Sequence, residues 1–217
     1  MYTPPHFEES RTDVLQEFIR RHPFAAVVAG TSGGLDAEHV PLLLDAGSGD
    51  HGVLQGHVAR ANPVWRSVSA GSEVLVLFSG PEQYVSPGWY PSKQEDARVV
   101  PTWNYMMVQA RGRITWIHER DWLEALLNRL TATFEAARET PWQLTDAPRE
   151  FLDRMLGGIV GLEIGLTELR GKWKLSQNRG AADRLGVVSA LEVEAGSGAA
   201  EMAAQMRALG LVPPRDA

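Results

Sequence analysis

The sequence predicts a mainly β fold with α-helices, in the form of an antiparallel barrel that carries helical insertions. Short apolar segments follow one another between residues 24 and 117, and clusters of Gly, Ser, Asp and Pro separate them. The longer helical patterns come late in the chain rather than between successive strands, which favours a barrel over a doubly wound sheet. With 217 residues and no long linker, we expect one domain over residues 1–217.

The predicted strands are short apolar runs or segments in which apolar and polar residues alternate. The longest has one apolar face, which Gly112 interrupts, and one mixed face. The predicted strands cover residues 24–29, 39–44, 53–58, 73–78, 103–117 and 159–169, and residues 172–175 extend the last one.

Helical spacing of apolar residues predicts short helices over residues 13–21 and 60–69 and two longer helical regions. The first region is an insertion at about residues 119–156, and the second is a C-terminal extension at about residues 178–212. Within the insertion, Thr145 or Asp146 is the expected cap of a second helix. The residues expected on the buried sides of the insertion are Trp122, Leu126, Leu130 and Phe134, followed by Phe151, Leu152, Met155 and Leu156.

Composition narrows the classes of function. There is no cysteine, which excludes disulfides, thiolate metal sites and thiol nucleophiles. The net charge of −6 is opposite to that of a protein that binds nucleic-acid phosphates. No apolar run has membrane-spanning length and the first residues do not resemble a secretion signal, so we expect a cytoplasmic protein. The six histidines lack metal-ligand spacing, and we expect no metal.

No segment carries a recognised catalytic motif. The phosphate loop GxxxxGK[ST], the nucleophile elbow GxSxG and the dinucleotide motif GxGxxG are all absent from the sequence. Catalytic residues are therefore not identified, and whether the protein turns over a substrate stays open at this point.

The first candidate site is the segment Gly56-His57-Val58-Ala59-Arg60-Ala61-Asn62-Pro63. It places an imidazole and a guanidinium at the end of a strand, just before a short helix. Arginine forks match phosphate oxygens, and helix N-termini offer unpaired N–H groups, so the segment is a candidate phosphate site. The alternative is that Arg60 is a solvated loop residue and His57 is half-buried.

Two further segments are rich in ligand-binding residue types. Five of the 17 aromatic residues lie within residues 84–105, between several prolines, which suits a flat aromatic ligand, a subunit interface or a cover over the barrel mouth. The segment Gly171-Lys172-Trp173-Lys174-Leu175-Ser176-Gln177-Asn178-Arg179 carries three cations around a tryptophan. This second segment is either a basic pocket for an anionic small molecule or a solvated basic face.

These segments, with the opening Met1-Tyr2-Thr3-Pro4-Pro5-His6-Phe7, resemble the PaiB family, known as FMN-binding negative transcriptional regulators. The resemblance covers roughly residues 1–190, and its most specific stretches are SPGWYPSK at 86–93, VPTWNY at 100–105 and GKWKLSQN at 171–178. It implies an FMN-binding split β-barrel, antiparallel and Greek-key-like, related to the pyridoxamine-phosphate oxidases. It also implies a homodimer with FMN bound in clefts between the subunits.

The resemblance carries over to particular residues. It implies that one group lies near the flavin phosphate and that a second lines the cleft or approaches from the last strand. The first group is His57, Arg60 and Asn62, and the second is Lys93, Trp103, Asn104, Tyr105, Lys174, Gln177 and Arg179. A flavin would carry the redox chemistry itself, which agrees with the missing catalytic motif.

Alternative functions remain open. Haem binding on the same barrel is one alternative, with His39 or His57 as an axial ligand, and a dimer that serves only in regulation or interaction is another. A regulatory role would be indirect or would use a partner protein, because no helix-turn-helix is evident. The C-terminal helices carry Glu192, Glu194 and Glu201, which would repel a phosphate backbone, so direct DNA binding is not expected.

Overall fold

The structure is a computed structural model that describes residues 1–213. The described residues form eight strands, six α-helices and four short 3₁₀ turns. In chain order the strands and helices are β1 (Glu8–Glu9), α1 (Thr12–Arg21), β2 (Phe24–Thr31), β3 (Gly34–Pro41), β4 (Leu43–Asp45), β5 (Val53–Ala59), α2 (Val64–Ser67), β6 (Glu73–Val85), β7 (Thr102–Ile117), α3 (Arg120–Glu135), α4 (Arg149–Gly157), β8 (Ile159–Lys174), α5 (Ala181–Val193) and α6 (Ser197–Ala208).

The eight strands form one sheet in the order β3-β2-β6-β7-β8-β5-β4, and β1 pairs with β8. The pairs β1–β8, β2–β3, β2–β6, β4–β5 and β5–β8 are antiparallel. Strands that follow one another in the chain are separated by short connections early and by the helices α3 and α4 late. This arrangement agrees with the antiparallel, strand-rich fold that the sequence predicts.

The chain divides into two compact units. The middle unit comprises Gln16–Phe78 and Gln109–Leu169, and the terminal unit comprises Met1–Leu15, Ser79–Val108 and the residues from Arg170 onward. The expectation of a single domain over residues 1–217 stays a prediction, and residues 214–217 lie outside the described part.

The middle unit is built around strands whose buried residues alternate with exposed ones. In the β2–β3 hairpin, Thr31 pairs with Gly34, which adopts a φ of 113° that glycine accommodates without strain. Strand β5 pairs with β8 from Val53 opposite Gly165 to Ala59 opposite Ile159. The buried core of this unit includes Val27, Val40, Leu54, Val58, Val76, Phe78, Ile114, Leu123, Leu126, Val160, Leu162 and Ile164.

The terminal unit combines strand ends with the C-terminal helices. Helices α5 and α6 pack against each other, and α5 also contacts the two 3₁₀ turns at Pro87–Trp89 and Pro91–Gln94. Small residues permit this contact, since a side chain at Gly186 would overlap the carbonyl oxygen of Trp89. The buried core of this unit includes Phe7, Leu15, Val85, Tyr90, Val108, Trp173, Leu175, Val187, Val188, Leu191, Met202 and Met206.

Several predicted elements need correction. The strand expected at residues 39–44 is two strands, because the chain changes its partner: β3 pairs with β2 as far as Pro41, and β4 pairs with β5 from Leu43. The first of these two strands, β3, begins at Gly34 rather than at residue 39, because β2 and β3 form a tight hairpin. The helix expected at residues 60–69 contains only Val64–Ser67.

The amphipathic pattern of the insertion predicts more buried residues than the structure contains. Helix α4 begins after Pro148 rather than at a Thr145 or Asp146 cap, since those two residues lie in a separate 3₁₀ turn. Leu156 is buried as expected, but Phe151 and Met155 are exposed, and so is Phe134 on α3. Spacing shows that a helix has an apolar stripe but not how much of that stripe a neighbour covers.

Within residues 1–213, no helix combines the length and the apolar character that crossing a membrane requires.

We expect Gly112→Ala to lower the free energy of unfolding by ~1–3 kcal/mol, the usual cost of overpacking a core. A methyl group at Gly112 would lie 2.5 Å from the carbonyl oxygen of Gly165 and 2.6 Å from Cγ2 of Ile164. Gly165→Ala is the matched control, because a methyl group there meets nothing within 4 Å. Urea unfolding of both variants measures the difference, and equal stabilities would contradict this account of the β7–β8 approach.

Candidate functional site

The ten residues that the sequence predicts as cofactor ligands fall in both units. His57, Arg60 and Asn62 lie in the middle unit, and the other seven lie in the terminal unit. Each group is described within its own unit.

In the middle unit, the Arg60 side chain donates hydrogen bonds to backbone carbonyl groups. Its Nε donates to the carbonyl of Gly157 and its Nη2 donates to the carbonyl of Ile159, both at 2.8 Å. These acceptors lie where α4 ends and β8 begins, so the guanidinium satisfies carbonyl groups at a helix C-terminus. Two of the guanidinium nitrogens therefore already donate hydrogen bonds, and the side chain connects the end of β5 to the start of β8.

Asn62 is also engaged locally. Its Oδ1 accepts a hydrogen bond from the backbone N–H of Val64 at 2.9 Å, which shapes the turn into α2. That helix has only four residues, and Trp65 within it donates from Nε1 to the carbonyl of Arg60 at 3.0 Å. The strand-to-helix corner is thus held by its own side chains.

His57 lies on β5 opposite Gly161 of β8, and it is half-buried. Burial lowers the pKa of its imidazole, because desolvation disfavours the charged form. Its Nδ1 is buried without a hydrogen-bond partner in the described part of the chain. His39, the other histidine considered as a haem ligand, lies on β3 with its ring 6.0 Å from that of Phe24.

The terminal unit contains a cavity of about 210 Å³, here called the inner cavity. Three of the seven residues that the sequence predicts in this unit, Asn104, Lys174 and Arg179, line its wall. A fourth, Gln177, supports the turn that carries the lining residue Ser176. The complete lining is Tyr90, Val100, Pro101, Thr102, Asn104, Lys174, Ser176, Asn178 and Arg179.

Lys174, the last residue of β8, provides one cation of this wall. Its Nζ donates to the hydroxyl of Thr102 and, at 2.6 Å, to the carbonyl of Trp103. Burial lowers the pKa of this ammonium, and the nearby charges of Lys172 and Arg179 lower it further. Lys174 forms no ion pair with a carboxylate among residues 1–213.

Arg179 provides the second cation and stacks on Tyr90. Its guanidinium carbon lies 4.6 Å from the centre of the Tyr90 ring. The tyrosine is only 2 % exposed, and its hydroxyl makes no hydrogen bond of normal geometry within the described chain. Burial raises the pKa of Tyr90, an effect that the charge of Arg179 partly opposes, so the hydroxyl stays protonated.

Asn104 and Ser176 form the buried floor of the cavity. The Asn104 side chain is fully buried, and both its Nδ2 and its Oδ1 lie 3.1 Å from the hydroxyl of Ser176. Ser176 has a φ of 64°, a left-handed conformation that is uncommon outside glycine and that is often found at functional sites. Gln177 supports this turn, since its side chain bonds the backbone N–H of Leu175 and the carbonyl of Trp173.

Trp103 and Tyr105 line a second depression, here called the outer recess, of about 250 Å³. Successive side chains of a strand point to opposite faces, so these two rings lie on the other face of β7 from Thr102 and Asn104. Trp103 is 52 % exposed and meets Tyr84 edge to face at 6.0 Å. The complete lining is Ser79, Gly80, Glu82, Trp103, Tyr105, Met106 and Met107.

Two lysines flank the Tyr105 ring of the outer recess. Nζ of Lys172 lies 5.4 Å from the ring centre, and Nζ of Lys174 lies 6.0 Å from it. Lys172 also donates to the carbonyl of Tyr2 at 3.0 Å. The recess therefore combines flat aromatic surface with positive charge.

Helix α5 fixes two walls of the inner cavity. The carboxylate of Asp183 accepts hydrogen bonds from the backbone N–H and the hydroxyl of Ser92, at 3.1 and 2.8 Å. This holds the segment that carries Tyr90. Arg184 donates to the carbonyl of Arg179 and to that of Leu211, both at 2.7 Å, which holds the basic segment.

The sequence analysis did not select Tyr90, Ser176, Asp183 or Arg184 as site residues. Tyr90 and Ser176 stand inside the segments SPGWYPSK and GKWKLSQN, so their neighbourhood was a usable signal. Asp183 and Arg184 lie in a helical stretch without a recognisable motif. Lys93, which was selected, is exposed and does not line either depression.

Comparison with known proteins decides the family. The family model described as "Putative FMN-binding domain" matches residues 1–168. The chain belongs to this family. It is also 34% identical over 206 residues to the protease synthase and sporulation protein PAI 2 of Bacillus subtilis strain 168, which covers 95% of this chain and 96% of that relative. The resemblance to the PaiB family is thereby confirmed.

Solved structures establish the fold. The flavocytochrome Anf3 from Azotobacter vinelandii superposes with a TM-score of 0.55 at 12% identity, covering 77% of this chain and 69% of that one. A FAD and heme binding protein from Mycobacterium smegmatis superposes with a TM-score of 0.57 at 15% identity, covering 82% and 78%. At such identities the likeness concerns the fold alone, and the predicted split-barrel fold class is confirmed.

The lowered pKa of His57 predicts that the protein loses stability in mild acid. The unfolded state binds a proton near the ordinary pKa of 6.5, whereas the folded state resists it. The free energy of unfolding therefore falls as the pH drops below about 6.5, by at most ~1.4 kcal/mol per pH unit for one proton. We expect His57→Asn to flatten this dependence in urea unfolding at pH 5–7. An unchanged slope would show that another group is responsible.

Proposed function

We propose that this protein binds FMN and that the flavin gives it a redox or redox-sensing function. Membership of the family supports this proposal, as does the outer recess of the terminal unit. The observation that carries it is that Trp103 and Tyr105 line the recess while the ammonium groups of Lys172 and Lys174 flank the Tyr105 ring. Aromatic surface beside positive charge suits a planar ring that carries an anionic tail.

The residues present fit an anionic cofactor. The cations Lys174 and Arg179 lack carboxylate partners among the described residues. The inner cavity, at about 210 Å³, is below the ~300–1,000 Å³ usual for a whole small-molecule site. It therefore suits one end of a ligand rather than a complete flavin.

In this proposal the chain binds and orients, and the cofactor reacts. When bound, the isoalloxazine ring supplies the electron-transfer chemistry. Trp103 and Tyr105 would cover the ring and exclude water from it, and Lys172 and Lys174 would favour an anionic ligand over a neutral one. Lys174 already bonds Thr102 and Trp103, so its position does not depend on the ligand.

An absorption spectrum of the purified protein, before and after FMN is added, tests the proposal. We expect flavin bands, and we expect Trp103→Ala to weaken FMN binding about tenfold, because an aromatic contact contributes ~0.5–1.5 kcal/mol beyond its buried area. Trp142→Ala is the control, since Trp142 is a similarly exposed tryptophan of the middle unit. A haem band, or equal FMN affinity in both variants, would contradict the proposal.

We further propose that the protein is a homodimer that influences transcription indirectly. The relative PAI 2 is named a protease synthase and sporulation protein, which supports a regulatory role. Two features argue against direct DNA contact: the net charge of −6 and the acidic residues Glu192, Glu194 and Glu201 of the C-terminal region. A regulatory effect would then pass through a partner protein.

Sedimentation velocity and electrophoretic mobility shifts test this second proposal. We expect a dimer in sedimentation, and no operator-specific, salt-dependent retention of promoter DNA by the pure protein. A monomer would argue against a shared cleft, and tight operator-specific binding would argue against an indirect role.

A further inference from the structure

The inner cavity carries more positive charge than its own surroundings neutralise. Lys174 and Arg179 both line it, and neither forms an ion pair with a carboxylate within residues 1–213. Asp183, which lies close to this wall, is instead engaged by the backbone and hydroxyl of Ser92. Two neighbouring cations in a partly buried cavity repel each other, and an anion between them would remove that cost.

The cavity also offers more hydrogen-bond donors than the described residues around it accept. An ammonium has three donors, and Lys174 uses two of them on Thr102 and Trp103. The guanidinium of Arg179 carries five donors, and it stacks on the Tyr90 ring and approaches the hydroxyl of that tyrosine. Tyr90 also lines the cavity, but its hydroxyl is buried and is not exposed to the cavity.

The position of these groups is fixed before any ligand arrives. Arg184 holds the backbone of Arg179, Asp183 holds Ser92 two residues after Tyr90, and Lys174 is tied to β7. Ser176 keeps its left-handed backbone conformation through its contact with buried Asn104. Such preorganisation is typical of binding sites, because the entropic cost of ordering the groups is met on folding.

We propose that the inner cavity is a binding site for a phosphate group, held by the side chains of Lys174 and Arg179. The two cations match the charge of a phosphate monoester dianion, and their N–H donors match its acceptor-only oxygens. The phosphate has two sources of the same chemistry: the tail of the flavin, or a separate phosphorylated molecule. The first source rests on the proposed function, and the second does not.

Thermal unfolding with inorganic phosphate tests the site independently of flavin. We expect phosphate to raise the Tm of the full chain, and we expect Lys174→Met and Arg179→Met each to weaken phosphate binding about 10–100-fold, as for a charged hydrogen bond. Tyr90→Phe keeps the stacked ring and removes only the buried hydroxyl, so phosphate binding is expected to be unchanged there. Arg98→Met is the control, since Asp96 already pairs with that exposed arginine.

Paired titrations with FMN and riboflavin identify the source. If the flavin tail occupies the cavity, the wild-type preference for FMN over riboflavin falls towards one in Lys174→Met and Arg179→Met. If a separate molecule supplies the phosphate, that preference is unchanged in both variants while the phosphate response is lost. Both results support the site.

Two outcomes overturn the site: phosphate leaves the wild-type Tm unchanged, or its effect is undiminished in the Lys174→Met and Arg179→Met double variant. The single Arg179→Met variant guards against a lysine variant that fails to fold. If FMN binds but phosphate has no effect, the site fails and the proposed function stands. If phosphate stabilises the protein but no flavin binds, the proposed function fails and the site stands.

Discussion

The candidate site depends on the hydrogen bonds that the ammonium group of Lys174 donates to β7. This group joins the end of β8 to the start of β7 through the Thr102 hydroxyl and the Trp103 carbonyl. The same group lines the inner cavity and lies 6.0 Å from the centre of the Tyr105 ring, so one cation lies near both depressions of the terminal unit. A charge in this position loses hydration, which is why burial lowers its pKa. The Thr102 hydroxyl and the Trp103 carbonyl compensate for part of that loss without removing the positive charge.

Much of the fold could be predicted because strand periodicity is a local property of the chain. The alternation in residues 103–117 and 159–169 identified β7 and β8 to within a few residues. The exposed positions Phe134, Phe151 and Met155 could not be predicted in the same way. An apolar stripe records what a helix offers to a neighbour, whereas its burial depends on how far that neighbour extends, and this is decided by residues distant in the chain.

The site could be predicted only in part, and for a related reason. Lys174, Arg179, Asn104 and Trp103 belong to dense, unusual segments, and the structure places them around the two depressions of one unit. The residue types do not show which polar side chains form hydrogen bonds with nearby backbone groups. Arg60, Asn62 and Gln177 have the chemistry of ligand-binding residues, but each bonds neighbouring peptide groups. Such local competition depends on the exact backbone path, which composition does not reveal.

The contacts of helix α5 bear on where the functional part of this chain ends. The family match stops at residue 168, before the last six residues of β8 and before both cations of the inner cavity. Asp183 and Arg184 lie further on, and they brace the chain on either side of that cavity. A chain that ended at residue 168 would lack the β8 residues that pair with β1, and it would lack both cations of the inner cavity. The segment that defines the family is therefore not sufficient to build this wall.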